Sequence, residues 1–163
     1  MICLAHITIE YVIMLPILIM QIFLFPLTAG WLMDVWVNSR RTLALQETAD
    51  NLGSSLQQMY FTLNHVTIPA GTITQKANVP PFIETYPYTG NCTLITVLSP
   101  PANSSKILKL MLKMSTVGTT VSTSVVLGPN VQWLGSIFRS NSTAAAIRAN
   151  KLSSGVVQLS FIG

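Results

Sequence analysis

Side chains able to do chemistry are few in this chain, and their placement excludes most catalysis. There are five carboxylates, Glu10, Asp34, Glu47, Asp50 and Glu84, and two histidines, His6 and His65. Beyond the first ten residues His65 is the only histidine, and Glu84 is the only side-chain carboxylate beyond Val66. No Ser-His-Asp relay can be assembled from that set. Calcium needs several oxygen ligands gathered together, and the acids are too sparse to supply them. Cys3 and Cys92 form no CxxC motif and no Cys/His cluster, so neither a redox motif nor a zinc site is indicated. Cys92 reads as a small, partly buried apolar residue, and His65 as a capping or surface residue. The chain reads as a non-enzyme that calls for no metal and no cofactor. The chemistry that remains is modification. Asn91-Cys92-Thr93, Asn103-Ser104-Ser105 and Asn141-Ser142-Thr143 are sequons for attached sugar, and at least one of the three asparagines is expected to carry it.

The element that organises the rest is Tyr11 to Met33, which has no charged residue and one strongly polar side chain, Gln21. About 20 apolar residues of helix span a bilayer core, so this run is long enough. A soluble domain rarely builds so long an uncharged helix, because its outward face would meet water. Glu10 and Asp34 bracket the run. Pro16 and Pro26 fall inside it and are expected to loosen or bend the helix, each by removing an amide donor. Gly30 permits close approach of another backbone, and Trp31 and Trp36 stand where interfacial aromatics would.

A family resemblance rests on what precedes and starts that run. After the short segment Met1 to Ala5, the string His6-Ile7-Thr8-Ile9-Glu10-Tyr11 leads straight into the apolar helix. This resembles the start of archaeal type IV pilin-like proteins, and Glu10 to Pro16 also resembles TadE-like minor pilins. The resemblance implies a leader, residues 1–5, cut between Ala5 and His6 by a prepilin peptidase. It implies that Glu10 and Tyr11 act in assembly, with Glu10 pairing the amino group that cleavage creates. It further implies a homopolymeric filament at the cell surface whose subunits wait in the cytoplasmic membrane before the pilus assembly machinery takes them. Two features depart from the family's pattern. MICLA lacks the usual Lys or Arg, and Arg40 and Arg41 follow the apolar run, where the positive-inside tendency taken alone would set the opposite orientation.

Downstream, Leu45, Ala49, Leu52, Leu56, Met59 and Leu63 are spaced four, three, four, three, four, which predicts one amphipathic stripe. Two arrangements fit: one continuous helix from His6 to about Asn64, or two helices meeting near Asn38-Ser39. Either way the stripe needs a cover. From Val66 the chain turns to short β-like runs punctuated by Pro and Gly. Strands are expected at Gly71 to Lys76, Cys92 to Leu98, Ile107 to Met114 and Thr119 to Leu127. The third of these has lysines at helical spacing but leucines in alternation, and its neighbours favour a strand. Ala145 to Leu152 and Val156 to Ile162 flank Ser153-Ser154-Gly155, which predicts a terminal hairpin.

Fold class and organisation follow: α+β, with a leader at 1–5, a long helix over 6–65 whose core-forming part is 11–33, and a β-rich outer domain over 66–163. Charged residues are only 9% of the chain, and the formal net charge is +4. Against a usual charged fraction of about 25%, the distal half is solvated by hydroxyls or sugar instead. Its basic residues, Lys76, Lys106, Lys109, Lys113, Arg139, Arg148 and Lys151, face Glu84 alone. That imbalance reads first as a solvated basic face, and second as a weak site for polyanions or acidic surfaces. The function expected is that of a filament subunit. The alternatives are a TadE-like minor subunit or a membrane-anchored adhesin or nucleic-acid-binding surface protein.

Overall fold

The computed structural model describes residues 2–99, 103–116 and 118–163, with side chains described from Val12 onward except at 98, 99, 103 and 104. A single helix, α1, runs Ile2–Asn64 without interruption. Of the two arrangements open to the sequence, the continuous helix is the one adopted. Pro16 and Pro26 both lie inside it. The hydroxyl of Thr28, just past Pro26, donates to the carbonyls of Leu24 and Phe25 at 3.0 Å each, so it presents no bare donor to an apolar surrounding.

The chain divides into two compact units between Arg40 and Arg41, within α1. In the first, the helix is exposed around its whole circumference from Val12 to Trp36, and Val12 to Met33 supplies a near-continuous run of exposed large apolar residues. This one helix is long and apolar enough to cross a membrane, and none of its apolar window is buried within the chain.

In the second unit the same helix is one component of a core. Leu45, Ala49, Leu52, Leu56 and Leu63 are buried to within 1% of completely, and Met59 and Tyr60 lie beside them. Eight strands cover this stripe: β1 Gly71–Lys76, β2 Tyr88–Ser99, β3 Asn103–Met114, β4 Thr120–Leu127, β5 Val131–Trp133, β6 Ile137–Arg139, β7 Ala146–Lys151 and β8 Val157–Ile162. They form two four-stranded sheets, ordered β1-β7-β8-β5 and β4-β3-β2-β6. All pairs are antiparallel except β5 with β8, which is parallel over three residues.

Alternation decides which side of each strand faces the helix. On β3, Leu108, Leu110, Leu112 and Met114 are fully buried, while Met111 and Lys113 point outward. The leucine alternation therefore prevails over the helical spacing of the lysines. β2 begins at Tyr88, four residues before the predicted start, because Tyr88 and Gly90 extend the buried side. β5 and β6 are the strands that sequence reading missed. Each is three residues long, too short to carry a period.

The two sheets meet through aromatic rings. Phe138 of β6 lies 5.3 Å from Phe161 of β8, which in turn meets Trp133 of β5 edge-on at 5.0 Å. Inner faces of both sheets and one stripe of α1 thus share one core. Leu56, Leu110 and Leu159 belong to that single cluster.

Gly90 marks a tight place in it. A Cβ at that position would lie 2.6 Å from Leu112 Cδ2 and 3.2 Å from Phe138 Cβ, and both neighbours are buried without slack. Gly90→Ala should therefore lower stability by about 1–3 kcal/mol through overpacking. Thermal unfolding of the full chain in detergent would measure it, and an unchanged midpoint would show that the core can yield there.

Candidate functional site

The residues expected to direct processing and assembly, Ala5, His6, Glu10 and Tyr11, all have helical backbone within α1. Their side chains lie outside the described residues. From Val12 to Met33 the same helix offers an apolar surface with two polar side chains, Gln21 and Thr28, seven residues apart and so on one side. With Leu18, Ile22, Leu24, Phe25 and Pro26 they line a shallow depression on the helix surface. Trp36 carries the Arg40 guanidinium over its ring at 4.8 Å.

Arg41 has a different task. Its Nε donates to Glu84 Oε2 at 2.7 Å, and its guanidinium lies 5.1 Å from the centre of the Tyr86 ring. Glu84 sits at φ 56° in a tight turn closed by reciprocal backbone hydrogen bonds between Ile83 and Tyr86. A non-glycine residue in left-handed backbone is uncommon. Here the ion pair and the turn hold it. The one carboxylate beyond Val66 is therefore tied to the helix.

Two cations of the β region serve as hydrogen-bond donors to backbone. Lys151 Nζ donates to the carbonyls of His65 and Ile68 at 2.9 and 2.8 Å, capping the end of α1 where helical partners run out. Lys106 Nζ donates to the Val131 carbonyl at 2.8 Å. His65 is exposed, and its Nδ1 lies 2.7 Å from the Thr67 hydroxyl. Asn130 had no signal in the sequence, yet it links three elements. It accepts from the Tyr60 hydroxyl and donates to Asn64 Oδ1 at 2.6 Å and the Gly155 carbonyl at 2.8 Å.

The remaining cations fall on the outward sides of the sheets. In the β4-β3-β2-β6 sheet, cross-strand register places Thr120, Lys113, Thr89 and Arg139 in one row, and Ser122, Met111, Asn91 and Ile137 in the next. Ser124, Lys109 and Thr93 follow, then Val126, Ile107 and Ile95. In the other sheet, Lys76 and Arg148 share the outward side with Thr74 and Ser160. Neither outward side carries a carboxylate.

Asn91 is exposed in the middle of β2, and Asn141 is exposed just after β6. The latter stands at a cleft of about 290 Å³ lined in part by Lys76, Phe138, Ser140 and Thr143. Asn103 opens β3, and its side chain lies outside the described residues. Among the described residues no three of His, Cys, Asp and Glu come close enough together to hold a metal ion. Compared with protein-family models, curated proteins and solved structures, the chain matches none.

Cys92 is a free thiol, 4% exposed on the inner side of β2. Burial pushes its pKa well above the ordinary range, and burial does the same to the Tyr88 phenol. The nucleophilic form of a thiol is the thiolate, so Cys92 is inert in the folded chain. In a Cys3→Ser background at pH 8, alkylation of Cys92 should be about tenfold or more slower in the folded chain than in denaturant. Equal rates would show that β2 opens readily.

Proposed function

We propose that this chain is a structural subunit of an archaeal type IV pilus-like cell-surface filament, assembled by packing of apolar N-terminal helices. The observation that carries the reading is the continuity of α1. One unbroken helix is apolar and exposed on every side from Val12 to Met33, then amphipathic and covered by a β-rich unit over its last third. Such a surface is stable in two surroundings, lipid and a bundle of like helices. A chain that must pass from the first to the second needs no new fold to do so. Van der Waals contact with neighbouring copies replaces contact with lipid, and the β units stay outside.

The N-terminal sequence supports the same route: leader removal before His6, residence in the cytoplasmic membrane, then capture by the assembly machinery. Arg41, whose position opposes this orientation under the positive-inside tendency, has a separate structural reason to be there in its pairing with Glu84. A TadE-like minor subunit is the variant of this reading with fewer copies. The reading from another class is a membrane-anchored module that binds polyanions. It is favoured by the carboxylate-free outward sides of the sheets, and it requires weak, steeply salt-dependent binding.

Two measurements test the filament reading. Sheared surface filaments should yield this chain with His6 at its amino terminus and with sugar on at least one of Asn91, Asn103 and Asn141. An intact Met1 would reject the cleavage site. Within a helix bundle an ionised Glu10 is costly to bury unless paired. Glu10→Gln should therefore leave membrane insertion and leader cleavage intact while cutting filament number sharply, as counted by microscopy. Wild-type numbers would reject the pairing role.

A further inference from the structure

The β-bearing unit has two outward sides of opposite chemistry. Two carboxylates that are in no ion pair among the described residues, Glu47 and Asp50, lie together on the exposed side of α1, opposite the buried stripe. Among the described residues, the Gln46 amide, which is neutral, is the one polar side-chain partner of Asp50, donating to its Oδ1 at 3.1 Å. Exposed apolar residues lie toward either end of this side, Leu43 at 70% and Phe61 at 57% exposure. They are 18 residues apart, about 27 Å along the helix.

The β4-β3-β2-β6 sheet presents the complement. Gly53 of α1 packs against Thr123 and Val125, on the inner side of β4. The outward side of the sheet therefore faces away from the helix, across the layer. It carries Lys109, Lys113 and Arg139, none of them in an ion pair among the described residues. Exposed Met111 and Ile137 lie in the row between these cations, and exposed Val126 and Ile95 in the row beyond Lys109. Lys113 and Arg139 flank Thr89 in one row, about 10 Å apart at the usual strand spacing. The other sheet also has outward cations, Lys76 and Arg148, but among the described residues its strands carry no large exposed apolar residue on that side, and exposed Leu134 follows β5 at the far edge.

We infer that the outward side of the β4-β3-β2-β6 sheet docks on the exposed side of α1, around Glu47 and Asp50, in a second copy of this chain. Charge sign and apolar content match on the two surfaces. A polyanion would use the cations alone and leave four apolar side chains in water, and no described aromatic residue on this side offers a stacking surface for bases. The two surfaces lie on opposite sides of one unit, so the contact is head-to-tail and leaves a free surface of each kind at the ends of any chain of copies. This deepens the filament reading and rests on it for the crowding that brings copies together.

Asn91 stands between Met111 and Ile137 within the docking surface. Sugar at Asn91 and docking therefore exclude each other.

The test uses charge reversal in the full chain, purified in detergent micelles and followed by sedimentation velocity at low and high salt. The wild type should associate beyond a dimer at low salt and dissociate as salt rises. Glu47→Lys with Asp50→Lys, and separately Lys109→Glu with Lys113→Glu and Arg139→Glu, should each weaken association about tenfold or more. Mixing the two variants should restore it, because each then presents the other's complement on both sides. Association that survives both reversals would belong to the apolar helices and overturn the proposal. So would a closed dimer, failure of the mixture, or sugar on Asn91 in associated material. Loss of the sheet-side cations that abolishes polyanion binding while leaving association unchanged would assign that surface to the rival partner. Filaments counted in cells expressing the reversals separate the two ideas. Normal filaments from both variants would keep the filament reading and reject this contact. Absence of wild-type filaments, with salt-sensitive association in micelles, would do the reverse.

Discussion

Everything in the β-bearing unit depends on covering one stripe of α1. Leu45, Ala49, Leu52, Leu56 and Leu63 leave almost no surface to solvent, and the inner sides of both sheets converge on them. Burying a leucine contributes about 1.5–3 kcal/mol, so these positions hold the fold where no disulfide or metal does so among the described residues. The same helix has no such cover over Val12 to Met33. A single element therefore sets two demands, one met within the chain and one that only another apolar phase can meet.

The low charge of the chain takes on a physical meaning in this arrangement. Lys151 and Lys106 are engaged as donors to backbone carbonyls, and Arg41 is engaged with Glu84 and Tyr86. Each joins two segments far apart in sequence. Lys151 ties the last hairpin to the end of α1, and Arg41 ties the helix to the loop before β2. Polar contacts of this kind add direction to a core that hydrophobic burial alone would hold without fixing. Asn130 does the same for Tyr60, Asn64 and Gly155.

The outward sides are where the unit meets its surroundings. On the outward side of β3 and its neighbours, rows of hydroxyls with lysine or arginine alternate with rows that carry Met111 and Ile137 or Val126 and Ile95, so water wets that side only in part. Carboxylates are confined to the helix side and to Glu84. Such separation of sign is a property of the three-layer order of helix, inner side and outward side. It does not exist in the chain as a list of residues.

The sequence by itself determined two helical stretches and most of the strands, and left open whether one helix runs unbroken past Asn38-Ser39. Uncharged length from Tyr11 to Met33, and the four-three spacing from Leu45 to Leu63, are periodic signals that need no partner to be read. Alternation in Leu108 to Met114 and the β-branched run of β4 are likewise local. Tertiary structure alone decided the rest. The β5–β8 pairing joins two short segments far apart in the chain, and β5 and β6 are strands only because β8 and β2 offer them an edge. Asn130 and Lys151 act through partners 25 to 86 residues distant, a separation that no local pattern encodes. The inward or outward fate of each lysine depended on register, since a shift of one residue exchanges the two sides of a strand. Hence Lys106 meets a buried carbonyl while Lys109, three positions on, faces out.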